Sequence, residues 1–181
     1  GRAGAPRLEN TLPEPELVSL GAVRLADTGG TTPPAVEQPR PVSRIDGVYL
    51  DALTPTTAQA DYGTLQRNRN VVEKPLRIGE TRYLRGLGTH AKSRLVYALG
   101  GRFARFQAWV GPEATGNPTV SFTVRVDGAP VWESGLMRTG DAAQRVDVDV
   151  RGAETLELLV GDGGDGITSD WANWADAVLL H

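Results

Sequence analysis

The sequence predicts an all-β protein, a β-sandwich preceded by a proline-rich stretch, and three observations carry that reading. Beyond Ile45, apolar and polar residues alternate in segment after segment, the two-residue period of half-buried strands. Turn formers separate these segments about every ten residues, the spacing of sandwiches and barrels. Twenty-two Gly and twelve Pro against a single Met favour turns over long helices, and no segment holds a sustained helical stripe.

Residues 1–44 carry seven of the twelve prolines, among them Pro13, Pro15, Pro33 and Pro34. This composition reads as an extended arm or linker, with one short strand expected over Leu17–Leu25. An ordered arm of this kind leans on its own domain or on a neighbour, so residues 1–44 are the candidate contact with an envelope protein partner. The opening Gly1, in place of Met, is read as a processed start. The sandwich domain is expected over 45–181.

Within it, Thr57–Leu65 can hold one helical turn. Leu76 and Ile78 run into Gly79–Glu80, and Tyr83–Leu84 resumes after that turn. Leu95, Tyr97 and Leu99 alternate up to Gly100–Gly101. Phe106, Ala108 and Val110 alternate with Gln107 and Trp109. Val120, Phe122, Val124 and Val126 run into Asp127–Gly128, and Val131–Trp132 lies on the return strand, which predicts a hairpin. Val146–Val150, Leu156–Val160 and the stretch ending at Leu180 complete eight or nine strands.

Composition excludes much chemistry. There is no Cys, so thiolate catalysis, Cys-bound zinc, iron–sulfur clusters and disulfides are all ruled out. Only His90 and His181 carry imidazole, too few for a histidine-built copper or zinc centre, which leaves a metal-dependent redox or hydrolytic enzyme using His90 as a remote alternative. A net charge of −3 argues against nucleic acid as partner. No apolar run reaches the roughly 18 residues of a membrane helix, so no membrane span is expected. The nucleophile-elbow, P-loop, Rossmann and zinc-protease motifs are all missing, and a binding module is the better reading than an enzyme.

Two places hold functional candidates. His90 follows Gly86-Leu87-Gly88-Thr89, and its alternative is a histidine hydrogen-bonded in the core. Asp162 and Asp165 lie in Gly161-Asp162-Gly163-Gly164-Asp165-Gly166, where carboxylates and carbonyls on a loop can wrap a hard cation. The alternative there is a tight loop whose Asp side chains cap their own backbone. Of Trp171 and Trp174, one is expected to enter the core, while Trp109 and Trp132 read as strand packing.

Four ordered segments together resemble a known family: Tyr49-Leu50-Asp51-Ala52-Leu53-Thr54-Pro55-Thr56-Thr57-Ala58-Gln59, Gly86-Leu87-Gly88-Thr89-His90-Ala91, Val160-Gly161-Asp162-Gly163-Gly164-Asp165-Gly166 and Trp174-Ala175-Asp176-Ala177. They are similar to the NPCBM-type (novel putative carbohydrate-binding module) domain, over about residues 46–180. The resemblance implies a galactose-binding-like jelly roll in a secreted or surface protein, non-catalytic, recognising galactose-type or envelope glycans, with structural Ca²⁺ in some members. Carried onto this chain, it points to Tyr62, Arg67 and His90 for carbohydrate, and to Asp176 for calcium or for a core hydrogen bond, beside the loop candidates Asp162 and Asp165 for the metal. The sequence departs from the family pattern at Ala52, where an Asp is common, and at Tyr62, where a Trp is. With no glycosidase domain alongside, a structural subunit of a surface-layer-like assembly, docked through the arm, is the second expectation. A symmetric oligomer is compatible with either.

Overall fold

The computed structural model describes residues 45–181. The arm, its short strand and its partner contact all fall in residues 1–44 and lie outside the described residues.

The described chain is built from β1 (Gly47–Tyr49), β2 (Thr57–Ala60), β3 (Gln66–Arg67), β4 (Arg77–Ile78), β5 (Thr81–Arg82), β6 (Gly86–His90), β7 (Ser93–Ala98), β8 (Arg105–Pro112), β9 (Thr119–Val126), β10 (Ala129–Arg138), β11 (Gln144–Asp149), β12 (Thr155–Gly161) and β13 (Trp171–Leu180). One sheet runs β11-β8-β13-β6-β3, with β1 also paired to β13; the other runs β10-β9-β12-β7-β2. Every pairing is antiparallel. The expected sandwich is what forms.

The alternation of the sequence becomes the two faces of each sheet. Phe106, Ala108 and Val110 of β8 point inward, as do Val120, Phe122 and Val124 of β9 and Leu156, Leu158 and Val160 of β12, all in one buried cluster. Each fully buried Leu, Val or Phe is worth about 1.5–3 kcal/mol relative to exposure. Trp174 of the first sheet meets Phe122 of the second edge-on, with ring centroids 5.2 Å apart at 85°. The polar positions face outward: Asp147 takes the guanidinium of Arg105, and Glu157 that of Arg94 at 3.2 Å. Between β9 and β10, Asp127 (φ 47°) and Gly128 (φ 80°) both adopt positive φ, the backbone of the hairpin turn that the Asp-Gly pair predicts.

Two expectations need correction. Thr57–Leu65 holds no helical turn: its first four residues form β2, which pairs with β7 from Thr57↔Val96 to Ala60↔Ser93, because the open edge of β7 offers a backbone ladder that outweighs the weak local preference of Thr-Ala-Gln-Ala. The only helical turn among the described residues is a 3₁₀ turn at Leu50–Ala52. Among the described residues the strands number thirteen, more than expected, in part because β3, β4 and β5 have two residues each and are too short to register as a period.

Between β3 and β6 the chain makes a long excursion, residues 68–85, across the outer face of the first sheet. Its anchor is a buried polar cluster. Asn70 and Asn173 donate through Nδ2 to Glu113 Oε2 at 3.0 and 2.9 Å. Asn173 Nδ2 also reaches the Arg77 carbonyl at 3.1 Å, and Asn70 Oδ1 accepts from the amides of Val72 and Lys74. These hydrogen bonds offset most of the cost of burying the three side chains, with Asn173 Oδ1 left without a partner among the described residues. The excursion also explains a glycine: a Cβ on Gly88 would stand 2.2 Å from the Arg69 carbonyl oxygen and 2.4 Å from Asn70 Cα.

Candidate functional site

Three aromatic side chains from three elements converge on one hollow. His90 ends β6 and stands directly opposite Trp171 on β13, so their side chains share the outer face of the first sheet. Tyr62, from the loop after β2, is 57% exposed and brings its ring to 5.1 Å from that of His90, tilted by 55°. With Ile167, Thr168 and Ser169 they enclose about 330 Å³, at the small end of ligand pockets.

His90 is buried, and its Nδ1 lies 2.5 Å from the Ala91 carbonyl. A carbonyl can only accept, so Nδ1 carries the proton. In the neutral ring Nε2 is then an acceptor, and it has no protein partner among the described residues. The hydrogen-bonded and functional readings of His90 thus describe two different nitrogens of one ring. Behind the pocket, Asp170 Oδ1 accepts the Thr119 amide at 2.8 Å and ties the 162–170 loop to β9. Burial pushes the Asp170 carboxyl above the usual carboxylate range, against the opposing pull of that hydrogen bond.

Arg67 does not join this group. It lies on edge strand β3, its Nη2 donates to the Leu53 carbonyl at 2.9 Å, and it borders a separate hollow with Thr54, Pro55 and Arg69. Trp171 was read from the sequence only as one of a pair and not as a site residue, and Ile167, Thr168 and Ser169 were not singled out. The signal was there: Trp171 and Trp174 are three apart on one strand, so once Trp174 enters the core, Trp171 must face the other way.

The three acidic residues expected to share a metal lie in two places. Asp162 pairs with Lys92 Nζ at 3.2 Å, and accepts the Gly164 amide on its side chain and the Asp165 amide on its carbonyl, so the loop caps itself. The Lys92 contact holds the Asp162 carboxyl below its usual range. Asp176 sits at positive φ in the β13 bulge, near Asp51 and Arg85. Burial raises its carboxyl above the usual range. Asp51, buried beside it, is already held by Arg85 through Nη2 at 2.9 Å and Nε at 3.3 Å, and that guanidinium lies 4.0 Å over the Tyr49 ring. Among the described residues no three His, Asp or Glu side chains converge on a metal position. The donor set does not fit a Ca²⁺ shared by Asp162, Asp165 and Asp176.

Comparison with known proteins places the chain. Over 110 residues it is 34% identical to a putative endo-alpha-N-acetylgalactosaminidase of Renibacterium salmoninarum, covering 59% of this chain and 7% of that protein. Over 134 residues it is 30% identical to an alpha-1,3-galactosidase B of Akkermansia muciniphila, covering 71% of this chain and 17% of that one. The chain therefore spans a small part of either relative. Among solved structures it is similar to CBM51 from Clostridium perfringens GH95 in complex with methyl-galactose, at 34% identity and TM-score 0.71, covering 74% of this chain and 99% of that one. It is also similar to CBM51-2, in complex with GlcNAc, and INT domains from Clostridium perfringens ZmpB, at 31% identity and TM-score 0.70, covering 74% of this chain and 31% of that one. The NPCBM/NEW2 domain model matches residues 46–180, which is the whole sandwich, and the chain belongs to that family.

Proposed function

We propose that this chain is a carbohydrate-binding module that takes the end of a galactose-type or envelope glycan in the pocket of Tyr62, His90 and Trp171. The observation that carries the reading is the convergence of three rings on one hollow of about 330 Å³, on a fold similar to a module solved with methyl-galactose. Aromatic rings present apolar faces for the C–H side of a sugar. Nε2 of His90, the hydroxyls of Thr168 and Ser169 and the Tyr62 phenol offer hydrogen bonds to its hydroxyls. The role is binding and not turnover, and the setting is an exported or surface protein concerned with glycans, as the names of its relatives support.

Calorimetric titration with methyl-galactose and with N-acetylglucosamine tests this. Saturable heat whose affinity falls several-fold in Tyr62→Ala and in Trp171→Ala, with the fold intact by circular dichroism, is the expected result. Equal heat from wild type and both variants moves the site elsewhere, and no heat with either sugar or any envelope glycan retires the reading. A chromogenic galactoside incubated with the chain is expected to release no product.

A further inference from the structure

We infer that the glycan this module takes is an extended acidic one, whose carboxylate or sulfate groups lie on a basic track running from the aromatic pocket along the β2–β3 edge. The inference rests on the carbohydrate reading of the pocket and names its ligand class.

The track is a row of neighbouring hollows. Beside the Tyr62–His90 hollow, across the loop at Gly63, a second hollow of about 440 Å³ opens between β2 and β3, lined by Gln59, Thr64, Leu65 and Thr89. It shares Ala58 and Leu65 with a third, of about 620 Å³, that reaches Arg67 and Arg69. That one shares Arg69 and Glu73 with a fourth, bounded by Arg82, Tyr83 and Leu84. A surface of this length exceeds what one sugar ring fills. In its middle section, Thr89 is 1% exposed and its Oγ1 has no hydrogen-bond partner. A buried hydroxyl left unpaired is costly and marks a place for a polar ligand atom.

The charge on this edge is one-sided. Between Arg67 and Arg94 the sequence holds eight cationic and two acidic side chains, in a chain whose net charge is −3. Four of the cations are paired: Arg77 with Glu80, Arg85 with Asp51, Lys92 with Asp162 and Arg94 with Glu157. The other four, Arg67, Arg69, Lys74 and Arg82, have no ion-pair partner among the described residues, and all lie on β3 or the excursion. Three of them line the hollows, with Glu73 the one acid among them. Guanidinium groups match carboxylate and sulfate oxygens in paired hydrogen bonds, so the track complements an anionic chain and not a neutral one.

The test compares three probes on the full chain by calorimetry: a galactose-terminated lactosamine hexasaccharide, its sulfated form and its sialylated form. At least one acidic form is expected to bind about fivefold more tightly than the neutral one, the size that two or three exposed charge pairs supply. Which form gains identifies sulfate or carboxylate as the source. Arg69→Gln with Arg82→Gln, both at exposed positions, should abolish the gain, as should about 0.5 M salt, where screening reaches a few ångströms. Neutral binding should stay unchanged in that variant. Equal affinity for all three probes overturns the inference, as does a gain that survives the double substitution or is matched by polyglutamate, which carries charge without sugar. Failure of the pocket itself reads differently: Tyr62→Ala would then leave the neutral probe's affinity untouched.

Discussion

The ring of Tyr62 stands 5.1 Å from that of His90, the one exposed on a loop and the other buried at the end of β6. Because Tyr62 is 57% exposed, its removal costs the fold little, within about 0.5 kcal/mol. Its loss from the pocket should cost about 0.5–1.5 kcal/mol of sugar binding, the contribution of an aromatic contact beyond its area. Tyr62→Ala is therefore expected to weaken methyl-galactose several-fold with an unchanged melting temperature. A large fall in melting temperature would make Tyr62 a structural residue.

Gly88 keeps the excursion in place by being small. Gly88→Ala sets a methyl group against the backbone of Arg69 and Asn70 at 2.2–2.4 Å, and neither can yield as a side chain would. Overpacking of this kind costs about 1–3 kcal/mol. Urea denaturation should show that loss, and the part of the basic edge that includes Arg69 should shift with it. Wild-type stability in Gly88→Ala would mean that the excursion rides loosely on the sheet.

The Arg85–Asp51 pair makes a different forecast. Asp51 is 5% exposed on its side chain while Arg85 is 44% exposed, so removing the arginine strands a buried carboxylate. Arg85→Met should destabilise by about 1–3 kcal/mol, below the value of a fully buried pair because the guanidinium reaches solvent. Asp51→Asn in the same background should recover part of it. Since Arg85 already holds Asp51 with two nitrogens, chelation by EDTA should leave the thermal midpoint of the wild type unmoved. A fall on chelation, restored by calcium, would show that Asp176 and Asp51 do hold a metal.

On the outer strand β11 and just beyond it, electrostatics predicts acid sensitivity. The Arg151 side chain bonds Asp149 and holds its carboxyl down to about 2, and Asp147 is held below its usual range, against the opposing effect of burial, by Arg105 and Gln107. A carboxylate with a lowered folded-state value stabilises the fold above its unfolded value near 4, and that contribution fades as pH falls toward 2. Asp149→Asn should therefore flatten the decline in stability between about pH 4 and pH 2, measured by thermal melts at low salt. Both pairs are exposed, so the effect is small, and an unaltered slope would show that solvent screens it away.

Much of this was legible in the chain itself. The alternation at Phe106–Val110, Val120–Val126 and Leu156–Val160 fixes which side chains enter the core, because a strand turns its side chains with a period of two whatever surrounds it. Asp127–Gly128 specifies the hairpin by its own backbone preference. The family resemblance rested on short motifs, and one of them, Gly86 to His90, proved to be a crowded central strand whose glycines make room for neighbouring backbone. What tertiary structure alone decided is who meets whom. Tyr62 reaches His90 while Arg67, about as near in sequence, turns to Leu53, because β3 pairs Arg67 with Leu87, three residues along β6 from His90, and sequence distance carries no direction in space. Asp176 and Asp162 share a residue type and fall on separate surfaces for the same reason. Pairing energies act between strands distant in the chain, so the pocket and the charged edge exist only once both sheets have closed.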